Sequence, residues 1–145
     1  MPTFDSALAL IQQVKLALEA SLSANNGQYP RIIVIGALGR CGKGAVDSCV
    51  DAGVPTESIL DLAESSHGGP FPEVAESDIF INCVYLGPDP TPPFVTFESL
   101  SISGRRLRVI CDVSCDPNSE NNPVPVYSSY SSFGKPTIPT SRKLE

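Results

Sequence analysis

An apolar run that breaks into regularly spaced glycines constrains the fold of this chain more than any other feature. The segment RIIVIGALGRCGKGAV occupies residues 31–46, and its first half contains four consecutive β-branched residues. Such a run is typical of a strand buried on both faces, here over residues 31–36. Residues 39–52 then have the pattern of a helix that ends at Gly53. The segment therefore predicts a buried strand, a glycine turn and a helix.

The rest of the chain predicts an α/β fold. Apolar residues at three- and four-residue steps indicate an amphipathic helix over residues 3–22, and we expect it to pack on a sheet. Three further apolar segments have the length of strands, and they cover residues 58–64, 78–85 and 107–114. Crossover connections between such strands predict a Rossmann-like, doubly wound, mainly parallel sheet with an extra N-terminal helix. We expect one domain over residues 1–136 and a loose tail over residues 137–145.

Local signals predict smaller elements. Thr3, Asp5 and Ser6 are the candidate caps of the first helix. Residues 65–73 are expected to form a loop, and residues 97–100 one helical turn. The segment VPVYSSY, residues 124–130, is predicted to pair as an edge strand.

Composition and charge exclude several classes of protein. The net charge of −6 over 145 residues argues against nucleic acid or an anionic membrane as the main partner. The arginines of GRRLR, residues 104–108, are interpreted as a solvated loop that leads into a strand. The sequence has neither an apolar run of membrane-spanning length nor a secretory signal, so we expect a cytoplasmic protein whose five cysteines are reduced.

The glycines after the first strand predict a phosphate site. A strand that turns directly into a helix leaves backbone N–H groups unpaired where the helix dipole is positive, and a pyrophosphate fits there if no side chain blocks it. The glycines are Gly36, Gly39 and Gly42. Ala37 stands where the common GxGxxG pattern has its first glycine, and Gly39 and Gly42 match the second and third.

An acid at the end of the second strand completes the dinucleotide pattern. Asp61 lies about 20 residues after the glycines, where a carboxylate would accept hydrogen bonds from the adenosine ribose. A carboxylate there favours NAD over NADP, because a 2′-phosphate would meet like charge. The alternative is that Asp61 is only the polar end of a strand.

Polar residues also follow the later strands. Asn82, Cys83 and Tyr85 end one strand, while Asp112, Ser114 and Asp116 end another. Either group could line the nicotinamide side of a cofactor cleft, or be the ordinary polar exit of a buried strand.

The remaining reactive residues give weaker signals. His67 lies in a glycine-rich loop and is interpreted as an exposed loop residue. Cys111 and Cys115 lack the two further ligands that a zinc site needs, so no metal is expected. Cys41 and Cys83 come close together in a doubly wound sheet, where they are either two thiols or a reversible disulfide.

Several separate motifs give the chain a family resemblance. The segments IIVIGALGRCGKGAVD, GGPF, DIFINCVYL and RRLRVICDVSCD stand in the same order as in the fungal saccharopine dehydrogenases that are NAD-dependent and form L-lysine. Residues 30–136 resemble that family, which is similar to alanine dehydrogenases. The resemblance implies an enzyme of lysine biosynthesis by the α-aminoadipate route, in which NAD oxidises saccharopine and the imine is hydrolysed to lysine and 2-oxoglutarate.

The resemblance also implies roles for individual residues. Those implied to contact NAD are Gly39 and Arg40 at the pyrophosphate, Asp61 and Ser65 at the adenosine ribose, and Tyr85 and Val113 along the rest of the cofactor path. Cys41 and Cys83 match a pair that can be disulfide-linked in the family. Ser65 replaces the usual threonine, and two residues are missing before Asp61.

Two functions follow from the resemblance. The family is more than twice this length, and its catalytic lysine and histidine come from an N-terminal domain without a counterpart here, so no catalytic residue is assigned. The first function is an NAD-binding domain that is inactive alone, with a separate chain supplying the missing part. The alternative is a non-catalytic relative that binds a partner protein or another ligand.

Overall fold

The described residues form a four-stranded parallel sheet with helices on both faces. The computed structural model describes residues 3–62 and 68–140. The helices are α1 (Ala7–Ala24), α2 (Arg40–Asp51), α3 (Pro72–Glu76) and α4 (Phe97–Leu100). The strands are β1 (Ile32–Ile35), β2 (Ile59–Leu62), β3 (Ile79–Asn82) and β4 (Val109–Asp112), and a 3-10 turn at Thr56–Ser58 precedes β2. The strand order is β2-β1-β3-β4, with every neighbouring pair parallel. The prediction of an α/β, Rossmann-like parallel sheet is confirmed.

Strand β1 is the centre of two hydrophobic cores, one on each face of the sheet. Ile32 and Val34 pack on the α2 side with Val54, while Ile33 and Ile35 pack on the opposite side with Phe80. All four β1 side chains are buried, as expected for a strand covered on both faces. Each contributes roughly 1.5–3 kcal/mol by leaving water, which explains why this short apolar run organises the sheet.

Helix α1 begins four residues later than predicted, at one of the three candidate caps, and packs on the sheet only in part. The Ser6 hydroxyl accepts a hydrogen bond from the N–H of Ala9 at 3.2 Å, so Ser6 is the cap. Leu18 packs on the α2 side of the sheet, whereas Leu8 and Val14 are 64% and 43% exposed. Four-residue strands are about 13 Å long, and an 18-residue helix extends about 27 Å. The helix is therefore about twice as long as a strand of the sheet, and it exceeds what one strand could cover.

Two local predictions are wrong. Helix α3 begins inside the segment predicted as a loop, with Pro72 at its start, and its five residues are too few for a periodic signal. Residues 124–130 contain a turn at residues 125–126 and are otherwise irregular, rather than forming an edge strand. The Asn122 side chain accepts from the N–H of Val124 at 2.8 Å and donates to its carbonyl at 3.3 Å, which satisfies the groups that a partner strand would use. The single turn over residues 97–100 is confirmed as α4.

Asp78 joins three strands at their amino ends. Its Oδ2 accepts hydrogen bonds at 2.9 Å from the backbone N–H of Arg31 and from the Arg106 guanidinium. Burial by itself would raise the pKa of Asp78, but these hydrogen bonds and the arginine charges outweigh it and lower that pKa. The arginine segment is thus a loop, as predicted, but Arg106 is ion-paired rather than simply solvated. None of the described helices is long and apolar enough to cross a bilayer.

Candidate functional site

The turn after β1 can accommodate only glycine at its first position. Gly36 has a φ of 87°, and a Cβ there would lie 2.9 Å from the backbone carbonyl carbon of Cys83. The N–H of Cys83 in turn donates to the Ile35 carbonyl at 2.9 Å. The carboxyl ends of β1 and β3 are therefore held together. Strand β2 pairs with the other edge of β1, so this is the switch point where parallel sheets bind ligands.

The start of α2 is pressed onto this turn. A Cβ on Gly42 would lie 2.1 Å from the Gly36 carbonyl oxygen and 2.5 Å from the Cα of Ala37. Gly42 is buried, and the first intrahelical bond runs from the N–H of Lys43 to the Gly39 carbonyl at 2.9 Å. The N–H groups of residues 40–42 precede that bond, and no side chain caps the helix. Glycines thus bring uncapped N–H groups to the carboxyl edge of the sheet.

The first turn of α2 carries positive charge where a helix normally favours negative charge. Arg40 and Lys43 are exposed, and this turn contains no acidic residue. A cation at a helix N-terminus interacts unfavourably with the helix dipole, at a cost of about 0.3–1 kcal/mol. An anion bound at this end would interact favourably with both the dipole and the two cationic side chains. Arg40 was identified from the sequence by resemblance alone. Lys43 was missed, although a lysine four residues after the N-cap is visible in the sequence.

Asp61 lies in β2, next to the turn. It is exposed and pairs in register with Val34, one position before the end of the strand. Alternation along β2 places Asp61 on the same face as Ile59, which packs on the α2 side. The position near the carboxyl end agrees with the sequence prediction. The predicted contact Ser65 and the loop residue His67 lie outside the described residues.

The polar residues at the ends of β3 and β4 contact one another. The Asn82 amide donates to Asp112 Oδ1 at 2.9 Å, and the Tyr127 hydroxyl donates to Asp112 Oδ2. The Ser114 hydroxyl donates to the Val84 carbonyl. These side chains are occupied by hydrogen bonds within the protein. This favours the interpretation of Asn82, Asp112 and Ser114 as the polar exits of buried strands. Tyr127 was missed because nothing local distinguishes it within the segment predicted as an edge strand.

Tyr85 and Val113, the two residues predicted along the cofactor path, follow the hydrogen-bonded strand ends of β3 and β4. Tyr85 is 91% exposed and Val113 is 50% exposed. They follow β3 and β4, on the side of β1 opposite to β2. Asp116, also considered from the sequence, is exposed. The structure thus brings Gly36, Gly39, Gly42 and Arg40 together and places Asp61 on one side of them, with Tyr85 and Val113 on the other.

All five cysteines lie in the described part of the chain, and none is in a disulfide. Burial raises the pKa of Cys83, and the charges of Cys41 and Cys111 raise it further, so these thiols are electrostatic neighbours. The Cys41–Cys83 pair therefore stays a prediction. Within residues 3–62 and 68–140, no three His, Cys, Asp or Glu side chains form a group that could hold a metal ion.

A cavity of about 430 Å³ lies along β4, away from the glycine turn. Strand β4 pairs only with β3 within the described sheet. The cavity lies between this strand and the C-terminal segment 129–140, and it is lined at one end by Asp112, Cys115 and Tyr127. None of the glycine-turn residues lines it, so it is separate from the candidate phosphate site.

Comparison with known proteins identifies relatives. No protein-family model matches the chain. It is 50% identical over 137 residues to a saccharopine dehydrogenase (NAD⁺, L-lysine-forming) of Schizosaccharomyces pombe, covering 93% of this chain and 37% of that protein. It is 52% identical over 133 residues to the protein of the same name from Neurospora crassa, covering 90% and 35%. The Emericella nidulans protein of that name is 52% identical over 135 residues, covering 91% and 36%.

The aligned region includes the strands, the glycine turn and the polar strand ends described above, because it covers about nine-tenths of the chain. At about 50% identity this similarity is far above chance and agrees with the parallel α/β sheet. The chain spans only about a third of the length of these curated relatives. It is therefore homologous to one part of the fungal NAD⁺-dependent, L-lysine-forming saccharopine dehydrogenases.

Proposed function

We propose that residues 1–136 form a single NAD-binding domain equivalent to the cofactor-binding part of a saccharopine dehydrogenase. The observation that carries this proposal is the contact between Gly36 and Gly42. These glycines let α2 start directly on the turn after β1, and a Cβ on Gly42 would lie 2.1 Å from the Gly36 carbonyl oxygen. The result is a row of uncapped N–H groups at the switch point of a parallel sheet, which fits a pyrophosphate.

The pyrophosphate would lie against the first turn of α2. The N–H groups there would donate to its oxygens, and the exposed Arg40 and Lys43 would balance its charge. Gly39, at the N-cap, leaves open the space that a larger side chain would occupy. The two cations in the first turn are unfavourable there without an anion, and a bound pyrophosphate would offset that unfavourable interaction with the helix dipole.

The adenosine ribose would bind on the β2 side. Asp61 is exposed and near the carboxyl end of β2, so its carboxylate is free to accept hydrogen bonds from ribose hydroxyls. The same charge would repel the 2′-phosphate of NADP. Ser65 is proposed from the resemblance as a further ribose contact. The nicotinamide half would then extend over β3 and β4, past Tyr85 and Val113.

The relatives are named for oxidising saccharopine with NAD⁺ and forming L-lysine, and we propose that reaction for the complete protein to which this domain corresponds. When bound, NAD would supply the hydride acceptor. Proton transfer at the reacting amine requires a titratable group at that position. Because the chain spans about a third of its relatives, we expect these 145 residues alone to bind NAD without turnover, and a separate chain could supply the other groups.

Calorimetric titration of the reduced protein with NAD and NADP tests the proposal. We expect saturable NAD binding and weaker NADP binding. Asp61→Ala should weaken NAD binding about 10- to 100-fold, since hydrogen bonds to a charged group contribute about 1.5–3 kcal/mol. Glu57→Ala is the matched control, because Glu57 is an exposed acid at the amino end of the same strand.

Two results would contradict the proposal. The first is the absence of saturation up to about 1 mM NAD, which corresponds to a binding free energy of only about −4 kcal/mol. The second is equal weakening by Asp61→Ala and Glu57→Ala. In that case the effect would come from net charge rather than from a ribose contact.

A further inference from the structure

A pair of polar side chains bridges the carboxyl ends of β3 and β4. Asn82 and Asp112 are register partners in adjacent strands. Asn82 is fully buried, and its amide donates to Asp112 Oδ1 at 2.9 Å, while its own Oδ1 accepts from the N–H of Val84 at 3.3 Å. Each strand end is thus tied to the other by a side chain rather than only by the backbone ladder.

Asp112 accepts two further hydrogen bonds, one from its own segment and one from the segment that contains Tyr127. Its Oδ1 accepts from the N–H of Cys115 at 3.2 Å, and its Oδ2 accepts from the Tyr127 hydroxyl. Burial and the hydrogen bond to Asp112 raise the pKa of Tyr127, so the phenol keeps its proton and acts as the donor. Every group that faces Asp112 in these contacts is a donor, which suits a carboxylate, an acceptor at both oxygens.

This carboxylate fixes the two segments that carry the exposed cofactor-path residues. Tyr85 lies one residue beyond Val84, whose N–H is held by Asn82 and whose carbonyl accepts from the Ser114 hydroxyl. Val113 directly follows Asp112. Their large exposure, 91% for Tyr85 and 50% for Val113, leaves an aromatic ring and an aliphatic side chain free beside the hydrogen-bonded pair of buried Asn82 and half-buried Asp112.

We propose that Asp112, held by Asn82 and Tyr127, is a positioning residue for the nicotinamide half of NAD. It does not contact the cofactor. It sets the spacing between the segments that carry Tyr85 and Val113, and those side chains contact the nicotinamide half. The strand order supports this role, because β3 and β4 lie on the side of the glycine turn opposite to Asp61. The inference rests on the proposed NAD function.

The test compares two ligands that share one half. NADH contains the nicotinamide, whereas ADP-ribose contains the adenosine, the pyrophosphate and the second ribose but no nicotinamide. Both are titrated into the full chain and into Asp112→Ala and Tyr127→Phe, and nicotinamide fluorescence is recorded with NADH. Glu120→Ala is the control, since Glu120 is an exposed acid in the segment between Asp112 and Tyr127.

We expect Asp112→Ala to weaken NADH about tenfold or more and Tyr127→Phe about threefold, the scale of one or a few lost hydrogen bonds. ADP-ribose affinity should stay within about twofold, and the fluorescence change of bound NADH should decrease in both variants. If Asp112→Ala does not fold, Tyr127→Phe carries the test, because it removes only one hydroxyl.

Equal weakening of NADH and ADP-ribose would overturn the inference and show a purely structural role. Unchanged NADH binding in both variants would overturn it as well. If the unmodified chain binds neither ligand, the proposed NAD function itself fails and the inference fails with it. If the unmodified chain binds ADP-ribose, the proposed cofactor site exists, and a negative result with the variants then counts against the role of Asp112 alone.

Discussion

Replacing Gly42 with alanine should damage the fold and the proposed phosphate site together. The new Cβ would lie 2.1 Å from the Gly36 carbonyl oxygen, 2.5 Å from the Ala37 Cα and 2.6 Å from the Gly36 carbonyl carbon. All three are backbone atoms, so no side chain can rotate away. Ordinary contact begins at 3.4 Å, and α2 would have to move by about 1.3 Å to reach it.

The size of the effect follows from two opposing terms. Overpacking a tight interior site costs about 1–3 kcal/mol. Alanine gains about 1 kcal/mol over glycine inside a helix, which offsets part of that cost. Because the contacts are backbone atoms, we expect the upper end of the range and a net loss of about 2 kcal/mol in the free energy of unfolding.

Gly44→Ala is the matched control in the same helix. A Cβ on Gly44 would meet nothing within 4 Å, so this variant should gain about 0.5–1 kcal/mol. Urea unfolding of the two variants and of the unmodified chain measures the change in the free energy of unfolding that each substitution causes. NAD titration then shows whether each variant still binds the cofactor. A Gly42→Ala protein as stable as Gly44→Ala would refute the steric argument.

Three further predictions concern other parts of the chain. The pKa of Asp78 is lowered in the folded state, so its carboxylate stabilises the fold above the ordinary value of 3.8, and this contribution disappears as the pH falls through and below that value. The pair with Arg106 is partly exposed, so the stability difference between the unmodified chain and Asp78→Asn should be at most about 1 kcal/mol at pH 7 and should decrease as the pH is lowered below 3.8. Asn122→Ala should cost about 1–3 kcal/mol by leaving the buried N–H of Val124 unpaired, whereas the Val124 carbonyl keeps its bond from the N–H of Val126; Asn118→Ala, at an exposed position, should be neutral in the same urea assay. Mild peroxide should oxidise Cys41 and Cys83 to a disulfide that weakens NAD binding; equal sensitivity of the Cys41→Ser variant would argue against this pair.

Local sequence was sufficient for the elements that neighbouring residues determine. The four β-branched residues of β1 predict a strand buried on both faces because no polar alternation interrupts them. Ser6 caps α1, and Gly53, with a φ of 98°, follows the end of α2, since capping depends on a few adjacent residues. The glycine turn was predicted for the same reason.

Only the tertiary structure decided which distant residues meet. Asp78 and Arg31 are 47 positions apart, Asn82 and Asp112 are 30 apart, and Tyr127 and Asp112 are 15 apart. No periodicity links such positions, because their proximity follows from the order in which strands pair. The exposure of Leu8 on α1 likewise depends on tertiary packing, since Leu18 packs against the core on the α2 side of the sheet and Leu8 does not. The sequence by itself therefore determined the four strands of the sheet, the cap of α1 and the glycine turn, whereas strand pairing determined the Asp112 cluster, through contacts that exist only once the sheet has formed.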